Sequence, residues 1–240
     1  SSKTDESIKD VPNQITLIDK EEIKLFNPQT TADALTNSGD VFVQKSQMGG
    51  GSPILRGFEA NRVLLVLDGI RMNNAIYRTG HLQNVITIDH SMLERIEIYY
   101  GPGTVMYGSD GMGGVLYFTS KKPKIVSEGS PFSANAYTRF STANFEKTAH
   151  FDFNVGSRKF ASLSSITYSD FDDLRAGRIK SDTSMAKLWN RYFYADREDS
   201  VDVVKVNSNP NVQIGTAYSQ MDLMQKFRFR PNEVTDFVLN

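Results

Sequence analysis

Residues 93–123 read LERIEIYYGPGTVMYGSDGMGGVLYFTSKKP. Two strand signatures frame a glycine-rich centre. Residues 95–100, RIEIYY, alternate charged and apolar side chains, the pattern of a half-buried strand. Residues 115–119, VLYFT, are dominated by β-branched and aromatic side chains that favour a pleated surface. Between them lie Gly101-Pro102-Gly103 and the pair Gly113-Gly114. Glycine there allows tight turns and close backbone approach, so one strand can leave a crowded sheet and another can enter it. Pro102 also suits the first position of a helix.

Upstream, the same character continues. Twelve of the 17 glycines lie between Gly49 and Gly114, and only four follow Lys124. Residues 63–67, VLLVL, form a continuous apolar run closed by Asp68-Gly69, which predicts a buried strand and a turn. Residues 15–18, 41–44 and 54–58 are further strand candidates. Residues 21–26 and 31–35 predict short helices, split at Asn27-Pro28 because proline disfavours helical geometry before it. Asp89 can cap one helical turn reaching Leu93. Together these short pieces describe a small α+β domain. A boundary falls near residues 121–130, where KKPK and EGSP break the pattern.

Downstream, the sequence alternates in twos. Phe132, Ala134, Ala136, Thr138 and Phe140 share one face, opposite Ser133, Asn135, Tyr137, Arg139 and Ser141. Ala149, Phe151, Phe153 and Val155 oppose His150, Asp152 and Asn154. Ala217, Ser219, Met221, Leu223, Phe227 and Phe229 oppose Tyr218, Gln220, Asp222, Lys226 and Arg228. Residues 160–169 and 234–239 are strands with weaker faces. Two architectures fit this alternation: a membrane barrel with a lipid-facing exterior and a wet lumen, or a soluble sandwich whose apolar face is its core. Loop lengths favour the barrel. If Phe132 opens the first strand, the short turns at 157–159 and 230–233 fall at one end, and the charged insert 170–215 falls at the other. Outer-membrane barrels have that asymmetry.

The 240 residues carry 27 basic and 28 acidic side chains, a net charge of −1, and no cysteine. Charge balance argues against nucleic-acid binding, which depends on clustered Lys and Arg. Lack of cysteine excludes disulfides, thiolate metal sites and a cysteine nucleophile. No apolar run of about 18 residues exists, so a spanning helix is not expected, whereas alternating barrel strands escape such a scan. Catalytic motifs are also missing. Residues 103–109, GTVMYGS, have phosphate-loop glycine spacing without the lysine, Gly101 and Gly103 do not complete a dinucleotide motif, and no HExxH occurs. His81, His90 and His150 are too scattered to form a metal cluster by spacing. An enzyme is not expected, and no cofactor is assigned.

Three ordered blocks carry a resemblance: residues 53–58 (PILRGF), 62–71 (RVLLVLDGIR) and 93–123. Over residues 4–123 the chain resembles the plug domain of the TonB-dependent outer-membrane receptors, followed by opening barrel strands. Such proteins usually carry Arg directly before the Gly-Pro pair, where this chain has Tyr100. The resemblance implies a plug at 1–124 and, at 125–240, the first antiparallel strands of a barrel of about 22 strands, with a long outer loop at about 170–215. The 110 residues after Ser130 supply about five spanning strands, so the chain is expected to be a fragment.

The resemblance implies a function too: a receptor in the outer membrane of a Gram-negative bacterium that imports a scarce nutrient with TonB-coupled energy. Ferric siderophores, haem, cobalamin, other metal chelates and oligosaccharides remain open as substrates. Implied partners are TonB with ExbB and ExbD, reached through an N-terminal box expected to precede this chain, together with outer-membrane lipid and the nutrient. A surface lipoprotein is compatible as a further partner; nucleic acid is not expected. Two plug loops, 44–53 and 71–84, are implied to face outward, offering Gln47, Met48, Asn73, Asn74, Tyr77, Arg78, His81 and Gln83 to the ligand. His81 could ligate haem or copper, or simply be a hydrogen-bonded loop residue. Trp189, Tyr192 and Tyr194 could cover the ligand or form an interfacial girdle. Arg56, Arg71, Glu94, Arg95 and Glu97 are charges in an apolar-rich segment. They are expected to lock plug to barrel, the alternative being surface charges at strand ends. A soluble periplasmic or cell-surface binding or adhesion module, an α+β domain with a β-sandwich, is the competing reading.

Overall fold

The computed structural model describes residues 14–45, 49–59, 62–72, 85–101, 111–126, 128–177 and 190–240. Strand β1 (Ile15–Asp19) leads directly into helix α1 (Lys20–Phe26). Asp19 caps that helix, accepting hydrogen bonds from the Glu21 and Glu22 amides at 2.9 Å. Asn27 ends it in the left-handed conformation, with φ 44°, immediately before Pro28. Helix α2 (Thr31–Asn37) begins on a capping box in which Thr30 and Asp33 satisfy each other's backbone amides.

A hairpin follows, β2 (Phe42–Gln44) with β3 (Ser52–Ile54). The strand expected over 54–58 instead stops early. Leu55 and Phe58 exchange backbone hydrogen bonds across Arg56-Gly57, both of positive φ, which is the geometry of a two-residue hairpin turn. Next come β4 (Val63–Leu67), β5 (Ile70–Arg71), 3₁₀ turns at Val85–Thr87 and His90–Met92, β6 (Leu93–Tyr100) and β7 (Gly114–Ser120). The sheet order is β1-β6-β7-β4-β5, with only the β4–β7 pair parallel. Its core gathers Ile18, Ile23, Leu35, Val63, Leu65, Ile96, Ile98, Leu116 and Phe118, all buried. Gly113 is required where the chain enters β7, because a Cβ there would overlap the Phe58 side chain.

The C-terminal half is a meander. Strands β8 (Phe132–Ser141), β9 (Glu146–Gly156) and β10 (Phe160–Phe171) pair in sequence. The insert that follows is not wholly irregular. It contains β11 (Leu174–Arg175), β12 (Phe193–Glu198), β13 (Val201–Val206) and β14 (Val212–Gln213), paired β11–β14 and β12–β13. Asp199 and Ser200, both at positive φ, make the two-residue turn between β12 and β13. Strand β15 (Tyr218–Phe229) returns to pair with β10, and β16 (Phe237–Leu239) pairs with β15 over three residues. The four long strands have 10, 11, 12 and 12 residues, enough for the about 9–11 a spanning strand needs. Among the described residues no helix is long and apolar enough to cross a membrane.

Burial decides between the two architectures. On β9 the polar side chains Glu146, Thr148, His150, Asp152 and Asn154 are buried against the α+β unit. The apolar face looks outward, with Phe151 43%, Leu223 66% and Met221 62% exposed. A soluble sandwich buries its apolar face. This sheet does the reverse, as a lipid-facing wall around a polar interior does.

Where the chain passes between the halves it is pinned to the wall. Lys124 N donates to Asn154 Oδ1 at 2.8 Å, Asn154 Nδ2 donates to Lys124 O at 3.1 Å, and Gly156 N donates to Pro131 O at 2.7 Å. A Cβ on Gly156 would stand inside van der Waals distance of the Lys124 carbonyl oxygen. Gly156→Ala in the complete protein is therefore expected to destabilise by about 1–3 kcal/mol through overpacking. Thermal unfolding should show a lowered midpoint, whereas Ala at the open position Gly129, whose positive φ adds only local strain, should cost less.

Candidate functional site

The long strands and the α+β unit meet along a polar seam. At the insert end, Glu146 is fully buried and accepts from three side chains. Arg139 Nε donates to Glu146 Oε1 at 2.7 Å, Thr148 Oγ1 to the same oxygen at 2.7 Å, and Gln29 Nε2 to Oε2 at 2.6 Å. The Arg139 guanidinium also donates to the carbonyls of Pro28 and Gln29, the latter at 3.2 Å. The break between α1 and α2 is thereby clamped to the wall. Carbonyls exposed by a proline-interrupted helix are natural acceptors for such a fork of donors.

Midway, Thr167 Oγ1 on β10 donates to Asp89 Oδ2 at 2.5 Å, and Ser91 and Tyr137 share a hydrogen bond. Burial depresses the proton affinity of neighbouring His90, more than the nearby Asp89 carboxylate raises it. Further along, Lys121 Nζ donates to Asp152 Oδ2 at 2.7 Å and Lys226 Nζ to Asp68 Oδ2 at 2.7 Å. Asp68 is the first residue of the two-residue turn between β4 and β5, with φ 50°. Its carboxylate accepts from Ser120 N at 2.9 Å and Ser120 Oγ at 2.5 Å as well as from Lys226. Burial raises its carboxyl. The Lys226 ammonium and the two Ser120 donors outweigh this and hold it below the usual range. At the other end of β15, Gln220 Nε2 donates to Ile86 O at 2.9 Å.

The charges expected to lock the halves show bonds inside the α+β unit. Arg56 Nη2 donates to Gln14 Oε1 at 3.2 Å, and its guanidinium lies 5.2 Å from the centre of the Tyr100 ring. Tyr100, standing where Arg is usual, donates to Asp40 at 3.2 Å. Glu94 accepts from Lys20 at 2.9 Å, and Arg95 Nε donates to Glu97 Oε1 at 2.6 Å. Arg71 ends β5 opposite Val66. Among the side chains that cross the seam, Gln29, Asp68, Asp89 and Lys121 carried no sequence signal beyond turn and cap preferences.

Gln47, Met48, Asn73, Asn74, Tyr77, Arg78, His81, Gln83 and Trp189 lie outside the described residues. The edges of both loops are described. Gly49 packs beside the Tyr218 ring, and the Ile86 carbonyl is held by Gln220, so both edges meet the insert end of β15. Tyr192 precedes β12 and Tyr194 lies within it, on the hairpin of the insert. Among the described residues no group of three or more His, Asp or Glu is arranged to hold a metal ion.

Comparison with known proteins places this geometry. Residues 7–115 match the model of the TonB-dependent Receptor Plug Domain. The vitamin B12 transporter BtuB of Vibrio vulnificus is 30% identical over 174 residues, covering 63% of this chain and 28% of that protein. The ferrichrome outer membrane transporter/phage receptor of Escherichia coli is 35% identical over 129 residues, covering 51% of this chain and 16% of that protein. The fold also resembles the Serratia marcescens hemophore receptor HasR, solved with its hemophore HasA and heme. The TM-score is 0.68 at 16% identity, over 92% of this chain and 29% of that one. The chain spans less than a third of each.

Lys226→Met in the complete protein removes a buried partner from Asp68 and is expected to destabilise the seam by about 3–5 kcal/mol. Adding Asp68→Asn should recover much of that, and a double-mutant cycle on unfolding reads the coupling. The pH sign follows from the lowered Asp68 value. The pair's contribution is present above the unfolded carboxyl value near about 4 and is lost as pH falls through the lower folded value. Acid titration of unfolding should show this loss in the native protein and not in the double variant.

Proposed function

Because the chain is a TonB-dependent receptor plug domain joined to opening strands of its barrel, we propose that the complete protein binds a scarce nutrient over the plug and imports it with TonB-coupled energy. Proteins of this family reside in the outer membrane of Gram-negative bacteria, and this chain is placed there. The observation that carries the reading is the inverted burial of the long strands: His150 is 4% exposed and its neighbour Phe151 43%. A soluble binding or adhesion module built on a sandwich would reverse these two values.

The seam also suits a plug that must yield. Its contacts are hydrogen bonds and ion pairs in a polar lumen, each contributing net about 0.5–1.5 kcal/mol, more for charged groups. Force delivered at one end can break such contacts in turn without exposing the plug's apolar core. Strand β1 is the sheet edge, and Tyr100 N donates to Gln14 O at 3.1 Å just before it. TonB would recruit an N-terminal segment by strand addition, with ExbB and ExbD supplying the energy. A surface lipoprotein partner is compatible with the exposed outer hairpin.

For the substrate we favour a metal chelate, such as a ferric siderophore or haem, or cobalamin. Gln47, Met48, Asn73, Asn74, Tyr77, Arg78, His81 and Gln83 would form the plug side of its site, with Trp189, Tyr192 and Tyr194 reaching over it from the insert. Support comes from the loop edges at Gly49 and Ile86, which meet the insert end of the wall. The test is tryptophan fluorescence of the full-length receptor, with its native N-terminus, against a panel of chelates, alongside uptake with and without TonB. One chelate should bind saturably, His81→Ala should weaken it about tenfold, equivalent to about 1.4 kcal/mol, and uptake should vanish without TonB. Undiminished uptake without TonB would contradict the proposal.

A further inference from the structure

Four side chains form one hydrogen-bonded file across the middle of the seam. Thr167 Oγ1 contacts Asp89 Oδ2 at 2.5 Å, His150 Nδ1 lies 2.7 Å from the same hydroxyl, and His150 Nε2 lies 2.9 Å from Asp152 Oδ2. Asp152 is fixed in turn by Lys121 at 2.7 Å and by Asn135 at 3.0 Å. Asp89, Thr167, His150 and Asp152 are all buried.

Counting hydrogens in this file gives a definite answer. Three contacts need three protons. The threonine hydroxyl supplies one, a neutral imidazole supplies one, and ionised carboxylates supply none. With two protons, one contact would set lone pair against lone pair in a buried site, at the full cost of an unmade hydrogen bond. A third proton removes the conflict. The imidazole then donates from both nitrogens, and the threonine hydroxyl turns its hydrogen to Asp89.

The surroundings accept such a charge. Asp89 faces the file from the plug, and Asp152 and Glu146 face it from β9. Among the described residues, Arg139 and Tyr137 on β8, Lys121 after β7 and Asp222 on β15 also lie near it. The Tyr137 ring stacks on His150, with centroids 5.1 Å apart. His90 Nδ1 is 3.8 Å from Asp89, and burial disfavours its charged form more than that carboxylate favours it.

We propose that the barrel wall closes on the plug around one bound proton in the file Asp89–Thr167–His150–Asp152, and that this part of the seam opens as the proton is lost. Once opened to water, the same groups above about pH 7 are a neutral histidine, a free hydroxyl and two carboxylates. The closed seam then binds one proton more than the open one. Linkage makes opening more favourable as pH rises, by up to tenfold per pH unit. The device would bias plug release by proton concentration, and it depends on the seam alone, whatever the nutrient and whether or not TonB acts.

Hydrogen exchange of the complete receptor between pH 6 and 9, normalised to intrinsic rates, tests this. Protection of the amides at residues 88–93 should fall with pH, approaching tenfold per unit. His150→Gln and Thr167→Val should each show lower protection with no such slope; Thr167→Val keeps the side-chain shape and serves if the histidine variant does not fold. A flat wild-type profile, or variants sharing the wild-type slope, would overturn the proposal.

Discussion

The wall's inward face is polar, and everything inside it must answer that fact. A buried carboxylate such as Glu146 cannot be left without donors, because desolvating it unpaired costs several kcal/mol. Water would satisfy it in an empty lumen. Here Arg139 and Thr148 of the wall share that task with Gln29 of the plug, and the plug also presents the Pro28 carbonyl, Asp68, Asp89 and Lys121 to residues on four successive long strands. Plug and wall are thus complementary in hydrogen bonding, as the two sides of a soluble core are complementary in shape.

The same constraint separates two kinds of cohesion. Inside the plug, Val63, Ile96, Ile98, Leu116 and Phe118 pack as an ordinary apolar core. Between plug and wall, cohesion is polar and distributed. Asp68 joins the two systems: its backbone makes the turn after β4, while its carboxylate holds both Ser120 and Lys226. A residue that reads as a turn former is therefore also a fastening.

Much of this was legible in the sequence, and the reasons are local. The run at 63–67, the alternation at 95–100 and the helix break at Asn27-Pro28 specify their elements through nearest neighbours. Period-two alternation after Phe132 identified the strands and which residues share a face, while leaving open which face is buried. Only assembly against the plug resolves that. The short strands in the insert were missed although Asp199-Ser200, just ahead of the valine-rich run 201–206, is a turn signal. Seam partners were illegible because pairing Lys226 with Asp68 depends on register across 158 positions, and charge density drew attention instead to Arg56, Arg71, Glu94, Arg95 and Glu97.

The central claim is that the long strands face lipid outward and the plug inward. Spin labels placed one at a time at Ile166, Leu223, Ser165 and Thr167 of the complete receptor in bilayers measure this directly. Collision with oxygen reports lipid, and collision with a water-soluble nickel chelate reports water. Labels at Ile166 and Leu223 should be open to oxygen and closed to the chelate, and those at Ser165 and Thr167 should be shielded from oxygen. Free access of the chelate to the labels at Ile166 and Leu223 would contradict the account.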